Sequence, residues 1–363
     1  MSEAGCLKLT AYFGERDRTP NGLLADELLE CFARYQVRTS VLLRGIEGFG
    51  VKHQIRTDQL LTLSEDLPAV AVAVDQREVI DLVLPKVLDI RRHGLVTLER
   101  AELLPHDLML PSMTAAEDEQ FKLTVYVGRQ ERMAGKPAFV GVCELLHRYG
   151  FAGATALLGV DGTDDGQRAR ASFFGRNANV PMMVIAVGSA AALRAVLPEL
   201  RKDLIYPTVT VERVRICKRD GELVGPPHEL PGTDEHGLPL WQKLTIHSTE
   251  TDRHQGRPLH RALLEGTRKA EISGATCVRG VWGFHGDHQP HGDKLLQLYR
   301  HTPVVTIIVD TPERITGLFG LIDELTAESG LVTSEMVPAA ESVSPDQTFG
   351  GTKLARYRQR SNP

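Results

Sequence analysis

The densest run of chemically capable side chains is GATCVRGVWGFHGDHQPHGD, residues 274 to 293. Within it, His285, Asp287, His288 and His291 fall inside seven residues. Imidazoles and a carboxylate at that spacing could ligate zinc or another ion that prefers nitrogen donors. The same run carries Gly280 and Gly283, and glycine lets a backbone approach a phosphate closely. A solvated, histidine-rich loop that holds nothing is the third reading. Elsewhere there is no Ser-His-acid order, paired-carboxylate pattern, Walker loop or Rossmann fingerprint in a strand-to-helix context, so catalysis is not expected. The five cysteines, Cys6, Cys31, Cys143, Cys217 and Cys277, are scattered without a CxxC pair. That usage fits reduced thiols in a cytosol rather than a thiolate zinc site.

Internal repetition supplies a control for that run. LKLTAYFGERDR, FKLTVYVGRQER and QKLTIHSTETDR open three copies, with Lys8, Lys122 and Lys243 spaced by 114 and then 121 residues. The same offsets carry Gly45 onto Gly159 and Gly280, and Gly48 onto Gly162 and Gly283. These glycines read either as a close approach to a ligand or as a strand ending in a bulge or turn that demands a positive φ. Arg44 and Arg279 precede the first glycine, where the second copy has Leu158. Thr155 and Thr276 could hydrogen-bond a base or ribose, or simply pack; Val41 stands in register in the first copy. An acid–arginine pair recurs as Asp17-Arg18, Glu131-Arg132 and Asp252-Arg253. Its arginine could reach an anion or bridge to a neighbouring copy. In the loop itself, His285 aligns with Gly50, Asp287 with Lys52, His288 with His53 and His291 with Arg56, while the second copy reads TDDGQRARAS. A metal explains one loop of the three; contact with an anion or a partner explains all of them. One glutamate also recurs on the last strand, as Glu99, Glu212 and Glu335, and pairing with a lysine is its expected role.

Each copy must position these residues with the same elements. LKLTAYF alternates with period two, as a strand does. Leu24, Leu28, Phe32 and Tyr35 fall at helical spacing, matched by Phe139, Val142, Leu146 and Tyr149. SVLLRGI, ATALLGV and ATCVRGV follow as strands, then a polar loop. AVAVAV, MMVIAV and VVTIIV suit strands buried on both faces. A second helix (Val79, Ile80, Val83, Leu84, Val87) and a last strand complete a βαββαβ unit. The predicted architecture is α+β: three ferredoxin-like domains over 6–105, 121–217 and 241–340, helices on one face of an antiparallel sheet. Residues 106–120 and 218–240 read as linkers and 341–363 as a tail, loose or draped on the surface. The net charge of -5 and pI near 6.2 argue against a nucleic-acid partner. No apolar run approaches the roughly 18 residues of a membrane span, and no signal-peptide pattern opens the chain, so a soluble cytoplasmic protein is expected.

The KLT opening, the GATCVRGVWGF segment, the PVVTIIVD strand and the GLVT ending resemble the bacterial domain of unknown function 190, a PII-like group within the nitrogen-regulatory PII superfamily. The resemblance spans all three copies and is cleanest in the third. It implies an intramolecular pseudo-trimer, one chain standing in for a homotrimer, with its sheets lining a shared core. It further implies an adenine nucleotide (ATP, ADP or AMP) or other small anion in clefts between copies. The loops after the second strands, roughly 47–58, 161–172 and 282–293, would then touch a partner such as a membrane transporter or channel. On that reading the ligand-binding candidates are Arg18, Arg44, Gly45, Gly48, His53, Arg132, Thr155, Gly159, Gly162, Arg253, Thr276, Arg279, Gly280 and Gly283. Zinc at His285, Asp287, His288 and His291 stays a reading for the third copy alone. The Gly-Asp-Gly-Lys loop of PII relatives is replaced here by IRRHGLV, KDLIYPTV and AESGLV, in which Arg91, Arg92 and Lys202 are the bases that could substitute.

Overall fold

The computed structural model describes residues 5–50, 56–57, 66–105, 116–170, 180–205, 207–286, 289–292 and 302–356. The first unit runs β1 (Cys6–Gly14), α1 (Leu24–Arg34), β2 (Thr39–Phe49), β3 (Pro68–Gln76), α2 (Arg77–Ile90), β4 (Gly94–Leu103). The second runs β5 (Gln120–Gly128), α3 (Ala138–Arg148), β6 (Gly153–Asp164), β7 (Pro181–Ser189), α4 (Ala190–Asp203), β8 (Thr208–Arg213). A hairpin follows, β9 (Arg215–Arg219) and β10 (Glu222–Leu223). The third unit runs β11 (Trp241–Thr249), α5 (Leu259–Lys269), β12 (Ala275–His285), β13 (Pro303–Asp310), α6 (Pro312–Leu325), β14 (Leu331–Val337), and a last hairpin is β15 (Ala339–Val343) with β16 (Thr348–Gly351).

In each unit the strands are antiparallel and pair in the order last–first–third–second, as in β4-β1-β3-β2. The period-two pattern of β1 explains its two faces. Leu7, Leu9, Ala11 and Phe13 pack with Leu28, Phe32, Ile80, Val83 and Val87 under the two helices. The opposite face needs cover too, and receives it from the other units. Val41, Val70, Val72, Tyr126, Leu157, Ile185, Val278 and Val305 form one buried cluster drawn from all three. That dual demand is why the third strand of each unit is apolar on both faces.

The second strands are long because each serves two sheets. The first half of β2 pairs with the second half of β6, the first half of β6 with the second half of β12, and the first half of β12 with the second half of β2. The closure is cyclic and its register repeats: Gly159 faces Leu43, Gly280 faces Leu157 and Gly45 faces Val278. One residue bulges at the crossover in every case, Ile46, Val160 and Val281. A bulge increases local twist, which lets one strand leave its own sheet for its neighbour's.

Two stretches behave differently from their sequence reading. Residues read as tail supply the end of β15, which starts at Ala339 inside the third unit, and all of β16, and β15 pairs along β4 from Ala339↔Leu98 to Val343↔Gly94. The region read as a linker starts inside β9, which pairs with β14. Both additions cover a last strand whose outer N–H and C=O groups would otherwise be an open edge. Arg91 ties the last hairpin down, donating to the Glu341 carbonyl at 2.8 Å and meeting its carboxylate at 2.5 Å. That spends one of the bases proposed for a phosphate loop.

Candidate functional site

Where the units meet, Lys8, Lys122 and Lys243 lie directly across the ladder from Glu99, Glu212 and Glu335. Each lysine also reaches the glutamate of a neighbouring unit. Lys8 is 3.1 Å from Glu99 and 2.6 Å from Glu212; Lys122 bridges Glu212 and Glu335; Lys243 bridges Glu99 and lies 3.2 Å from Glu335. Six alternating charges thus close a buried ring. Burial alone would push Lys8 down, but Glu212 and Glu99 outweigh it and hold the ammonium well above its usual range. Lys122 and Lys243 are raised in the same way against burial. Glu99, despite a burial effect that favours protonation, is held well below the usual carboxylate range by Lys243 and Lys8, and Glu335 is lowered by Lys122 and Lys243.

Among the described residues, these three carboxylates are the set whose ligand atoms lie mutually within 4.8 Å as a metal would require. Each is already neutralised by two lysines. A dication would have to displace ammonium groups that are themselves buried, so the ring is structural by its chemistry.

The clefts between units are the other candidate. Between the first and third units lies a cavity of about 160 Å³, walled by Phe13, Gly48, Phe49, Pro68, Thr276 and Ile307 among others. Ser342, Val343, Ser344 and Pro345 of the last hairpin close one side of it. In the matching cleft of the third and second units, His285 sits between Asp220 (3.7 Å) and Asp252 (3.8 Å). His247, buried beside it, is 3.3 Å from the Thr155 hydroxyl. Burial, then the nearby His285, pushes His247 down to about 4.

The repeat itself matches a known sequence family three times, over residues 6–103, 120–216 and 241–339. That family is DUF190, described as "Uncharacterized ACR, COG1993". The chain belongs to the DUF190 family. It is also 32% identical over 95 residues to a "UPF0166 protein" of Aquifex aeolicus (strain VF5), an alignment covering 26% of this chain and 88% of that protein. The relative is therefore about the size of one unit of this DUF190 chain. Among the described residues, no helix is long and apolar enough to cross a membrane.

The residues singled out in the DUF190 repeat fall in several places. None of Gly45, Gly48, Gly159, Gly162, Gly280 and Gly283 has a positive φ. They are needed for close packing. A Cβ on Gly45 would lie 2.6 Å from Pro68, and one on Gly48 2.8 Å from the Ala275 carbonyl. Pro181 crowds Gly159 and Gly162 as Pro303 crowds Gly280 and Gly283. Close packing beside the bulged residues, and not a left-handed backbone, is what these glycines serve; Gly48 additionally lines the open cleft.

Arg44 and Arg279 make equivalent exposed ion pairs with Glu15 (3.0 Å) and Glu250 (2.5 Å). Arg18, Arg132 and Arg253 are exposed, and it is the acid before each that works. Asp17, Glu131 and Asp252 accept the N–H of Gly14, Gly128 and Thr249, clamping the turn after the first strand. Thr155 is buried against His247, whereas Thr276 lines the open cleft. His53, Asp287 and His288 lie outside the described residues. His291 Nδ1 is 2.7 Å from the Gln289 carbonyl, and His285 points inward to two aspartates, so these two are turned to different tasks. The sequence reading passed over His247, Asp220, Leu95 and the 342–345 wall. The first was visible as a histidine where the siblings have Tyr12 and Tyr126; the others come together only through pairing between units.

Proposed function

We propose that this DUF190 chain is a non-catalytic, PII-like regulatory protein. In this reading, three ferredoxin-like units form an intramolecular pseudo-trimer that binds a small anionic ligand, an adenine nucleotide, at a cleft between units. The strand order within each unit and the cyclic pairing of the second strands support the pseudo-trimer. The open cleft between the first and third units carries the ligand reading, because it lies at the root of a loop after a second strand. Ligand binding there would bias that loop between two states, provided the states differ in affinity. A cytoplasmic partner surface, such as that of a transporter or channel, is the proposed recipient of the signal.

Thermal shift with ATP, ADP, AMP, cyclic nucleotides and divalent metals tests this directly. A ligand at 100 times its dissociation constant adds about 2.7 kcal/mol of stability. A shift with a nucleotide is the expected outcome. No shift with any nucleotide would leave a ligand-free interaction module, and a shift with zinc alone would favour the metal reading of the third loop. The compact arrangement is checked by scattering, with an expected radius of gyration of about 21 Å.

A further inference from the structure

The three clefts share an origin but not an interior. Between the second and first units, hydroxyls stitch the walls together. Thr39 donates to Thr208 (3.2 Å), the Thr163 hydroxyl donates to the Val37 carbonyl (2.9 Å), and the Thr163 and Ser40 hydroxyls lie within hydrogen-bond distance of each other (2.9 Å). The Thr163 backbone N–H donates to the same Ser40 hydroxyl at 2.9 Å. Between the third and second units, packing fills the space. Leu331 is fully buried against Ala152 and Val187, and a Cβ on Gly153 would come within 2.9 Å of it. The Gly286 N–H donates to the Ala152 carbonyl at 2.8 Å, and His285 occupies the mouth between its two aspartates.

At the matching positions the cleft between the first and third units has neither device. Gly274 replaces Thr39, Ala275 replaces Ser40, and Phe49 replaces Thr163. Leu95 replaces Thr208 and Leu331 but is only half-buried, and Gly50 stands where Asp164 and His285 stand in the siblings. What remains is the cavity of about 160 Å³.

We propose that the chain binds one ligand, in the cleft between its first and third units, and that its own side chains close the other two clefts. The inference rests on the ligand-sensing reading above and narrows it. The cavity also dictates which part of the ligand enters. It is smaller than the roughly 300–1,000 Å³ of a pocket that encloses a whole drug-sized ligand. Its described lining includes the aromatic and aliphatic faces of Phe13, Phe49, Pro68 and Val309, the carboxylate of Asp17, one oxygen of which already accepts the Gly14 N–H, and His93, with no lysine or arginine. An uncharged, ring-sized group fits that largely apolar wall better than a phosphate, for which His93 is the one basic side chain in the described lining. The charged end of the ligand stays at the mouth, beside Gly50.

Equilibrium dialysis and calorimetry with ATP, AMP and adenosine on the full chain test the proposal. The expected result is one equivalent per chain, with adenosine binding within about tenfold of ATP because the ring makes the buried contacts. Gly50→Phe fills the cavity from a position with nothing within 4 Å of a new Cβ. It should weaken binding by more than about tenfold with the melting temperature unchanged. Ser344→Phe, on the wall supplied by the last hairpin, should do the same and serves if the first variant folds poorly. Three equivalents per chain, or one equivalent that survives both variants, would overturn the single-cleft proposal while leaving nucleotide sensing intact. ATP binding that adenosine does not share would overturn ring-first entry, and absence of binding by all three probes would overturn both readings.

Discussion

The charged ring and the clefts are built from the same three repeats, yet the ring is identical in all units and the clefts are different in each. Lysine recurs at 8, 122 and 243 and glutamate at 99, 212 and 335, whereas the loop root is Gly50, Asp164 and then His285. The energetics account for the contrast. Every member of the ring is shared between two units, so a change at one position leaves buried charge uncompensated at two others. A cleft residue answers only to its own pair of walls. Fusing three units into one chain therefore frees the clefts and not the ring.

The strongest way to break this comparison is to remove one ring charge. Lys122→Met leaves Glu212 and Glu335 each with one lysine in a buried setting, and should cost about 3–5 kcal/mol in urea unfolding. Replacing all six members by apolar residues of similar volume should be near neutral or stabilising, because it removes the desolvation cost along with the attraction. A single-substitution cost under about 1 kcal/mol would mean that the ring behaves like exposed ion pairs and imposes nothing on the units.

The second test concerns a place where inner-face symmetry fails. His247 stands where the siblings have Tyr12 and Tyr126, and its folded-state pKa of about 4 lies below the ordinary 6.5. Between those values the unfolded chain binds more protons than the folded one, so stability rises with pH across the window. The contribution is complete above about pH 6.5 and is lost as pH falls towards 4, with a magnitude of about 3 kcal/mol. His247→Phe should remove that part of the slope in unfolding measured from pH 4 to 7. The depressed carboxylates Glu99 and Glu335 act in the same direction at lower pH and remain in the variant as an internal control.

The sequence exposes the units far better than their joints. Period-two strands such as LKLTAYF, and runs such as AVAVAV that are apolar on both faces, fix the βαββαβ order because burial demands are written in side chains. The recurrence of Lys8 and Glu99 in every copy likewise shows that a pair exists. That each lysine serves two glutamates is invisible, since it depends on strands crossing between sheets at Ile46, Val160 and Val281. The hairpins β9–β10 and β15–β16 were equally hidden. Segments such as CKRDGEL and AESVSPDQTFGG are rich in charge and turn residues, and what holds them is backbone pairing to an open strand edge, which leaves little side-chain pattern. For the site, glycines spaced as in GVWG look alike whether they admit a phosphate or a neighbouring proline. Only the position of Pro68, Pro181 and Pro303 distinguishes the two.

The smallest expected effect sharpens the comparison from the outside of the molecule. Arg44 and Arg279 repeat as faithfully as two ring members, and each has a glutamate partner, yet both pairs are exposed. Solvent screens such pairs and side-chain entropy opposes them, so Arg44→Ala or Arg279→Ala should shift stability by about 0.2–1 kcal/mol. The effect should shrink further in 1 M salt, where the Debye length is about 3 Å. Lys122→Met should keep more of its cost in the same salt, because the ring side chains are largely buried, although the three glutamates border an open cavity of about 1280 Å³. A matched loss in both variants as salt rises would show that solvent reaches the ring, and with it that burial does not explain why the ring stayed the same in all three units.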